Sequence, residues 1–377
     1  MSTKSLLIFY HKSSILEQVK LTVNLKLQTS QEQHDLLLAT MKRANEACNW
    51  ISNYAFTHKV FQKFALHHPT YFAVREQFQL SSNVTCRCLG KVADAYKLNK
   101  FAKRIFRLTG SIAYDHNILS FKKNDIVSIW TLKGRIFVPF VMGDRQREYF
   151  EHRKGEILLV YRKKTFYLNV ICDITEEPQL EPKDILGVDF GIVNIASDSD
   201  GEQFSGQAID NIRQTFSHRR RNLQRKQTKG SKRKLKAIAG KQSRFQKNEN
   251  HVISKRLVDK AKGTQRAISL EDLEGIRDRV TVKKGQRHRL NNWSFYDLRQ
   301  KIEYKAQLKG VPVIIIDPRN TSKQCSVCSH ISKSNRKSQS EFVCQKCGHT
   351  DNADFNASRN IRERAVAQLP NETQVSR

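Results

Sequence analysis

Four cysteines in two closely spaced pairs place the tightest constraint on how this chain folds. Two residues separate Cys325 from Cys328 and Cys344 from Cys347, and residues 329–343 lie between the pairs. This spacing lets both sulfurs of one turn reach the same ion, and tetrahedral Zn²⁺ accepts four thiolates at about 2.3 Å. The intervening segment is too short for a core of its own, so a metal must hold it together. The pattern therefore predicts one structural zinc ion with no open coordination position.

The other cysteines and two nearby histidines leave alternatives to that site. His330 and His349 follow the two pairs and are alternative ligands, although four thiolates already complete the shell. In an oxidising compartment the pairs would form disulfides, whereas CxxC pairs this close together indicate metal binding in an intracellular protein. We therefore expect a reducing cytosol, in which the four remaining cysteines are ordinary thiols: Cys48, Cys86, Cys88 and Cys172.

The charge balance identifies the expected class of partner. Lys and Arg total 67 against 36 Asp and Glu, which gives a formal net charge of +31. A compact protein with that imbalance repels itself unless a polyanion neutralises it, and phosphate contacts by Lys and Arg release condensed counterions. Nucleic acid is the expected partner. A membrane surface is the alternative, but no stretch approaches the roughly 18 apolar residues of a membrane span.

Hydrophobic periodicity divides the first half of the chain into strand and helix regions. Residues 16–28 alternate apolar and polar positions, which predicts a strand with one buried side. Thr29 or Ser30 is placed to cap a helix, and helical spacing continues through residues 31–104. Short strand-like runs separated by turns follow in residues 105–178. The order predicts a small β domain that begins with the first strand and contains a helical insertion.

An acidic, proline-bearing segment, residues 176–184, marks a boundary before a second architecture. Residues 185–201 predict two strands closed by an Asp200-Gly201 hairpin turn, and further strands are predicted within residues 263–273 and 311–317. Helical patterns separate these strands, and the pattern of residues 294–310 predicts a helix that stops at Gly310. The alternation predicts an α/β sheet flanked by helices.

A strongly basic run, residues 213–247, lies within this second architecture. It contains 14 Lys or Arg and no Asp or Glu. A run of this kind is usually a solvated tail or helix face. Here apolar residues recur along it, which favours long helices that pack on one side and present a basic face on the other.

Three acids stand in apolar or helix-initiating surroundings. Asp189 lies in the strand LGVDFGI, Glu271 ends the strand AISLEDL beside Asp272, and Asp354 lies at a helix start in DNADFNASRNI. Asp351 precedes Asp354 by three positions, a spacing that would let the two share one helical face. Each alone is explained by a strand-end cap, a salt bridge or an N-cap, but a buried charge is costly unless it is paired or bound to metal. Carboxylates converging from different elements hold two metal ions about 3.5–4 Å apart, which activate water and stabilise the leaving oxygen of a phosphodiester. In a chain that attracts phosphate, the three acids predict such a site.

These motifs, taken in their order along the chain, resemble those of a known family. GVDFGI, SLEDL and the two CxxC pairs followed by DNADFNASRNI, together with NTSKQCSVC and YKAQLKG, resemble TnpB, the RNA-guided nucleases encoded by insertion sequences and related to type V CRISPR effectors. The resemblance is specific over residues 182–362. One departure is Ser329, which stands where the family usually has glycine after the second cysteine, and we expect it to strain that turn.

The resemblance implies a site, cofactors and partners. Its catalytic acids are Asp189, Glu271 and Asp354, binding two Mg²⁺ ions, and one Zn²⁺ is held by the four paired cysteines. A guide RNA directs cleavage of target DNA beside a short DNA motif, so that base pairing reads the sequence. The basic helices are expected to hold the guide–target duplex or to steer single-stranded DNA. Their candidate contacts are Arg219, Arg220, Arg221, Arg225, Lys232, Arg233 and Lys234.

The resemblance also implies a multidomain α+β fold. An RNase H-like (RuvC) α/β domain with a zinc ribbon follows a β-barrel wedge domain that has a helical insertion. The expected bounds are 1–30 and 105–181 for the wedge domain, 31–104 for the helical recognition insertion, 182–319 and 350–370 for the nuclease domain, and 320–349 for the zinc ribbon.

Two other functions fit the same motifs. One is a nuclease-inactive, RNA-guided DNA-binding repressor, and the other is a zinc-ribbon DNA-binding protein that uses no guide. The complete set of three acids favours the enzyme over the repressor. In each case we expect a prokaryotic cytoplasmic protein that associates with the nucleoid when it is bound to DNA.

Overall fold

The computed structural model describes residues 18–273, 295–338 and 340–368, which form two compact units. The first unit is Gln18–Ile174, and the second consists of the described residues from Thr175 onward. The unit boundary falls immediately before the acidic segment that predicts it.

A curved, nearly closed seven-stranded sheet forms the frame of the first unit, in the order β2-β6-β7-β1-β5-β4-β3. Its strands are β1 (Gln18–Leu27), β2 (Ile112–Tyr114), β3 (Leu119–Lys122), β4 (Ile126–Thr131), β5 (Gly134–Val141), β6 (Arg153–Arg162) and β7 (Thr165–Thr175). Strand β1 lies between β7 and β5. Its alternating residues Val23, Leu25 and Leu27 are buried, which confirms the predicted half-buried strand.

Four helices complete the first unit: α1 (Gln31–His58), α2 (Lys63–Phe78), α3 (Ser82–Leu98) and α4 (Asp144–Phe150). Ser30 caps α1 as predicted. Its hydroxyl accepts a hydrogen bond from the Gln33 N–H at 3.2 Å, and the Gln33 side chain accepts one from the Ser30 N–H at 3.1 Å. This reciprocal capping box satisfies two backbone donors that a helix start otherwise leaves unbonded.

A five-stranded mixed sheet forms the frame of the second unit, in the order β10-β9-β8-β11-β12. Its strands are β8 (Asp184–Asp189), β9 (Asn194–Asp198), β10 (Gln203–Ser205), β11 (Arg266–Glu271) and β12 (Val313–Ile316), and a separate two-stranded ribbon pairs β13 (Glu341–Val343) with β14 (Thr350–Asn352). Strands β8, β11 and β12 are parallel, whereas β9 runs antiparallel to both of its neighbours, β8 and β10. The helices are α5 (Gln207–Lys226), α6 (Lys229–Ile238), α7 (Lys241–Gly263), α8 (Phe295–Leu308) and α9 (Ala353–Val366).

Helices cover both faces of the central strands β8 and β11. Leu186, Val188, Ile268 and Leu270 point to one face, where they pack with apolar residues of α7 and α8. The alternate residues Ile185 and Ala267 point to the other face, where they pack with Ile361 and Ala365 of α9. Because side chains alternate along a strand, Gly187, Asp189, Ser269 and Glu271 share the α9 face.

The predicted linker is bonded to the second unit along its length. The Glu177 N–H donates to the Leu308 carbonyl at 3.0 Å, and the Leu180 N–H donates to the Gly310 carbonyl at 2.7 Å. Gly310 has φ +63°, and a Cβ there would lie 2.1 Å from the Pro178 carbonyl oxygen. Glycine is therefore required both to end α8 and to admit the linker.

Helix α9 approaches β8 most closely at Gly187. A Cβ at this position would lie 2.1 Å from the Ser358 carbonyl oxygen and 2.7 Å from the Arg362 nitrogen, both in the α9 backbone. A side chain cannot rotate away from backbone atoms, so any residue larger than glycine must push α9 off the sheet. Gly187 thus sets the distance between α9 and the strand that carries Asp189.

We expect Gly187→Ala to lower the free energy of unfolding by at least about 2 kcal/mol, because it overpacks this contact. The matched control is Gly263→Ala at the end of α7, where a Cβ meets nothing within 4 Å. Chemical denaturation of both variants measures the difference. Equal stability of Gly187→Ala and the unmodified protein would show that α9 is not held at this distance.

Candidate metal centres and nucleic-acid interface

Two of the predicted acids end adjacent parallel strands. Asp189 is the last residue of β8 and Glu271 the last of β11, and the pairing of Val188 with Leu270 places the two acids side by side. The carboxyl ends of parallel strands are where α/β sheets generally bind ligands. Glu271 is buried, whereas the neighbouring Asp272 is half-exposed and bonded to Arg299 at 2.9 Å. Glu271 is therefore the inward-facing member of that pair.

Asp354 reaches the same strand ends from the first turn of α9. Asn352 caps the helix by accepting a hydrogen bond from the Asp354 N–H at 2.9 Å, and Asn194 at the start of β9 donates to the Asp354 carboxylate at 2.9 Å. Asp354 itself is 4% exposed. Asp351 does not share its helical face, contrary to our expectation, because it lies in β14 and binds Arg359 at 2.5 Å.

Burial and the two neighbouring acids oppose the ionisation of Asp189. Burial raises the pKa of Asp189 well above its ordinary value, and the charges of Glu271 and Asp354 raise it further. Burial also raises the pKa of Glu271, against the hydrogen bond that Thr321 donates to it. Protonation or a bound cation relieves such repulsion, and neighbouring acids with raised pKa values are common at catalytic sites.

The three acids offer the type of ligand atom that a hard divalent cation prefers. Carboxylate oxygen is the usual protein ligand of Mg²⁺, and these carboxylates come from two strand ends and one helix start. The donor set thus fits Mg²⁺.

Arg336 is a site residue that sequence reasoning missed. Its guanidinium lies 3.5 Å from Asp354 Oδ1, and its charge acts to lower the pKa of Asp189. It belongs to the segment between the two cysteine pairs, far along the chain from either strand acid. Lys333 and Lys337 flank it within four positions, so no local pattern distinguishes it from a surface cation.

The four paired cysteines converge as predicted. The Sγ atoms of Cys325 and Cys347 are 3.7 Å apart, and those of Cys328 and Cys344 are 3.5 Å apart. Four sulfurs around a tetrahedral Zn²⁺ at about 2.3 Å are separated by roughly 3.8 Å, so the arrangement fits that ion. Burial acts to raise the pKa of Cys344, but the N–H groups of Cys347 and Lys346 lower it to about 6. Zn²⁺ binds cysteine as the thiolate, so metal binding releases the remaining thiol protons.

The two cysteine turns differ at one position. Gly348 follows the second pair with φ +72°, and Ser329 follows the first with φ +57°. Both lie in the left-handed region, which favours glycine, so the expected strain at Ser329 is present. The Cys325 and Cys344 N–H groups bond to the His330 and His349 carbonyls at 3.0 and 2.8 Å, and neither imidazole belongs to the cluster of sulfurs.

The basic run folds into helices, as predicted. Helices α5 and α6 pack against each other around a small apolar cavity lined by Leu223, Ala237 and Ile238. Arg220 is half-buried and donates to Gln242 at 3.0 Å. The remaining candidate contacts are exposed: Arg219, Arg221, Arg225, Lys232, Arg233 and Lys234. In the described part of the chain, no helix is long and apolar enough to cross a membrane.

Two family models match the second unit and the strand that leads into it. One, described as a probable transposase (OrfB_IS605), matches residues 169–274, and the other, described as a Cas12f1-like TNB domain, matches residues 295–361. The first match contains Asp189, Glu271 and the basic helices. The second contains the cysteines, Arg336 and Asp354.

Curated relatives match similar portions of the chain. The CRISPR-associated endodeoxyribonuclease Cas12f1 of Sulfoacidibacillus thermotolerans is 37% identical over 220 residues, covering 53% of this chain and 50% of that protein. The TnpB-like protein MJ0751 of Methanocaldococcus jannaschii is 28% identical over 263 residues, covering 65% of this chain and 92% of that protein. The chain thus spans about half the length of the Cas12f1 relative. Together with the family models, these relatives confirm the resemblance to the TnpB family.

Solved structures share the fold. The cryo-EM structure of a Cas12f1–sgRNA–target DNA complex has a TM-score of 0.58 at 16% identity and covers 88% of this chain and 83% of that one. The structure of CasPhi-2 (Cas12j) bound to crRNA has a TM-score of 0.61 at 10% identity and covers 93% and 99%. At these identities, the likeness establishes the mixed α/β fold.

We expect Cys344→Ser to lose bound zinc and to expose the 325–347 segment to proteolysis, because three thiolates hold the ion less tightly and the segment depends on it. Metal analysis and limited trypsin digestion measure both effects. Cys86→Ser, which removes a half-buried thiol outside the cluster, is the control. Full zinc content and unchanged protease resistance in Cys344→Ser would contradict the assignment.

Proposed function

We propose that this chain, which resembles the TnpB family, is an RNA-guided DNA endonuclease that hydrolyses phosphodiester bonds. The observation that carries the proposal is the convergence of Asp189, Glu271 and Asp354 at one edge of the sheet in a chain of net charge +31. Acids gathered in a protein that attracts phosphate suit metal-assisted cleavage of nucleic acid.

The three carboxylates hold the catalytic cations in this proposal. When bound, two Mg²⁺ ions supply the positive charge that activates water and stabilises the leaving oxygen. Asp189 and Glu271 offer oxygens from the rigid ends of two strands, and Asp354 offers its oxygens from the α9 start. Ligands fixed in this way hold the cations and the reacting groups in place, so the protein need not become more ordered when they react.

Arg336 is the candidate contact for the scissile phosphate. Its guanidinium already lies beside Asp354, where a phosphate held by the cations would lie within reach. A guanidinium offers paired N–H donors that match phosphate oxygens. The zinc centre in this proposal is structural, because four thiolates leave the ion no open position for water.

The basic helices bind nucleic-acid backbone in this proposal. The exposed basic residues of α5 and α6 suit contacts to backbone phosphates, which do not depend on base sequence. Such contacts can hold a guide–target duplex or a single strand. The guide RNA itself is supported by the family resemblance and by the sgRNA in the Cas12f1 complex. We place the activity on DNA in the cytoplasm of a prokaryotic cell.

The proposed domains follow the two units. The curved sheet with α1–α3 is the wedge domain with its helical recognition insertion, and the five-stranded sheet with α9 is the RuvC-like nuclease domain. The segment from residue 320 to 349 is its zinc ribbon. The intact acid cluster favours this enzyme over a nuclease-inactive repressor, in which nothing would maintain three mutually repelling carboxylates.

We expect Glu271→Gln to slow DNA cleavage by roughly a thousandfold or more, because a lost metal ligand removes several kcal/mol of transition-state stabilisation. The protein is expressed with its flanking DNA, copurifying RNA is sequenced, and Mg²⁺-dependent cutting is assayed on matching targets. Retention of that RNA should be unchanged. Asp272→Asn, the adjacent half-exposed acid, should cut at the unmodified rate.

Each other outcome points to a different function. Full-rate cutting by Glu271→Gln would refute the site. A defined RNA without cutting by the unmodified protein would indicate the repressor. Absence of RNA would leave a zinc-ribbon DNA-binding protein.

A further inference from the structure

A short segment leads from the sheet into the first cysteine pair and contacts the candidate active site. We call residues 317–326 the ribbon neck; they follow the end of β12 and include the start of the proposed zinc ribbon. Thr321, near its middle, is 2% exposed. Its hydroxyl donates a hydrogen bond to Glu271 Oε1, across fifty residues of sequence. The neck therefore contacts a proposed Mg²⁺ ligand directly.

Helix α9 forms hydrogen bonds to the neck through three side chains spaced four residues apart. Asn356 accepts a hydrogen bond from the Ser326 N–H at 2.9 Å, and Asn360 donates to the Thr321 carbonyl at 2.8 Å. Arg364 donates to the Arg319 carbonyl at 2.6 Å. Residues at this spacing lie on one helix face, so all three hold the same strip of backbone.

The same neck backbone receives further bonds at Gln324. Asn356 and Asn360 each donate to the Gln324 carbonyl, at 2.8 and 2.7 Å, and Arg364 donates to its side-chain oxygen at 2.8 Å. Gln324 directly precedes the zinc ligand Cys325. The position of Thr321 is thus fixed by α9 on one side and by the start of the ribbon on the other.

A hydroxyl has particular value at this position. A neutral donor orients one carboxylate oxygen of Glu271 and leaves its negative charge available to a cation. The hydroxyl has a single proton and two acceptors within reach, Glu271 Oε1 and the Pro318 carbonyl at 3.0 Å. An ionised carboxylate is the stronger acceptor, so the bond to Glu271 is favoured.

We infer that Thr321 is the positioning residue of Glu271, through which the zinc ribbon and α9 set the geometry of the Mg²⁺ site. The inference rests on the proposed function, because it takes Glu271 as a ligand of the catalytic cations. It assigns no chemical step to Thr321. The affinity of the Mg²⁺ site for cations depends, in this inference, on the Thr321 hydroxyl of the ribbon neck.

Two substitutions separate the hydroxyl from the rest of the side chain. Thr321→Val keeps the branched shape and removes the hydroxyl, whereas Thr321→Ser keeps the hydroxyl and removes the methyl group. Mn²⁺ is titrated into the zinc-loaded, nucleic-acid-free full chain, and free Mn²⁺ is followed by electron paramagnetic resonance. Binding that Asp189→Ala abolishes defines the site. Thr70→Val is the control, since that buried hydroxyl donates to the Leu66 carbonyl of its own helix at 2.6 Å.

We expect Thr321→Val to weaken Mn²⁺ binding at this site by roughly tenfold to a hundredfold, the usual effect of losing an outer-shell partner. Thr321→Ser and Thr70→Val should bind as the unmodified chain does, and all variants should retain one zinc per chain. In cleavage assays, Thr321→Val should raise the half-saturating Mn²⁺ concentration and approach the normal rate at saturation.

Equal affinity in Thr321→Val and the unmodified chain would overturn the inference while leaving the proposed function intact. Weak binding in Thr321→Ser with normal binding in Thr321→Val would overturn it too, by showing that the methyl group matters. If the unmodified chain has no Mn²⁺ binding that depends on Asp189, the proposed function itself fails.

Discussion

Repulsion among three inward-facing carboxylates is the interaction on which the rest of the second unit depends. Asp189 and Glu271 end adjacent strands, Asp354 faces them from α9, and burial with their mutual charge raises the pKa of Asp189. Such a cluster costs stability, because three buried carboxylates lose water and Arg336 is the cation paired with them. Proteins keep costly clusters where function requires them. Cations that bind all three acids would turn the repulsion into attraction, which is why we regard the site as the centre of the proposed nuclease.

Close packing of α9 against the sheet brings these acids together. The segment that carries the four cysteines adds further contacts to the same site. Gly187 and Ser269 stand two positions before the strand acids on the same face, where their small size lets α9 lie against the sheet. The other side of α9 holds the ribbon neck, from which Thr321 reaches Glu271. Beyond the neck, the four-cysteine cluster fits Zn²⁺ and holds a short segment from which Arg336 reaches Asp354. In the proposed nuclease, a structural zinc ion would therefore support a metal site that it does not touch.

Local signals in the sequence predicted much of this fold, whereas contacts across long loops were not predictable. The Ser30 cap and the end of α8 near Gly310 depend on residues within a few positions, and both are confirmed. The cysteine spacing likewise specified its cluster. Arg336 and Thr321 were missed because their partners are eighteen and fifty residues away, and only tertiary packing joins them. The expectation that Asp351 shares a helical face with Asp354 was wrong, because Asp351 pairs with Phe342 in a strand before the helix begins. The catalytic, Mg²⁺ and nucleic-acid roles remain proposals that rest on chemistry.

The position of bound cations tests the central claim most directly. Crystals of the full chain soaked in Mn²⁺ are measured on both sides of the manganese absorption edge, so that manganese is distinguished from zinc. We predict two manganese peaks about 3.5–4 Å apart, bound by Asp189, Glu271 and Asp354. Manganese bound elsewhere, with none between these three carboxylates, would contradict it.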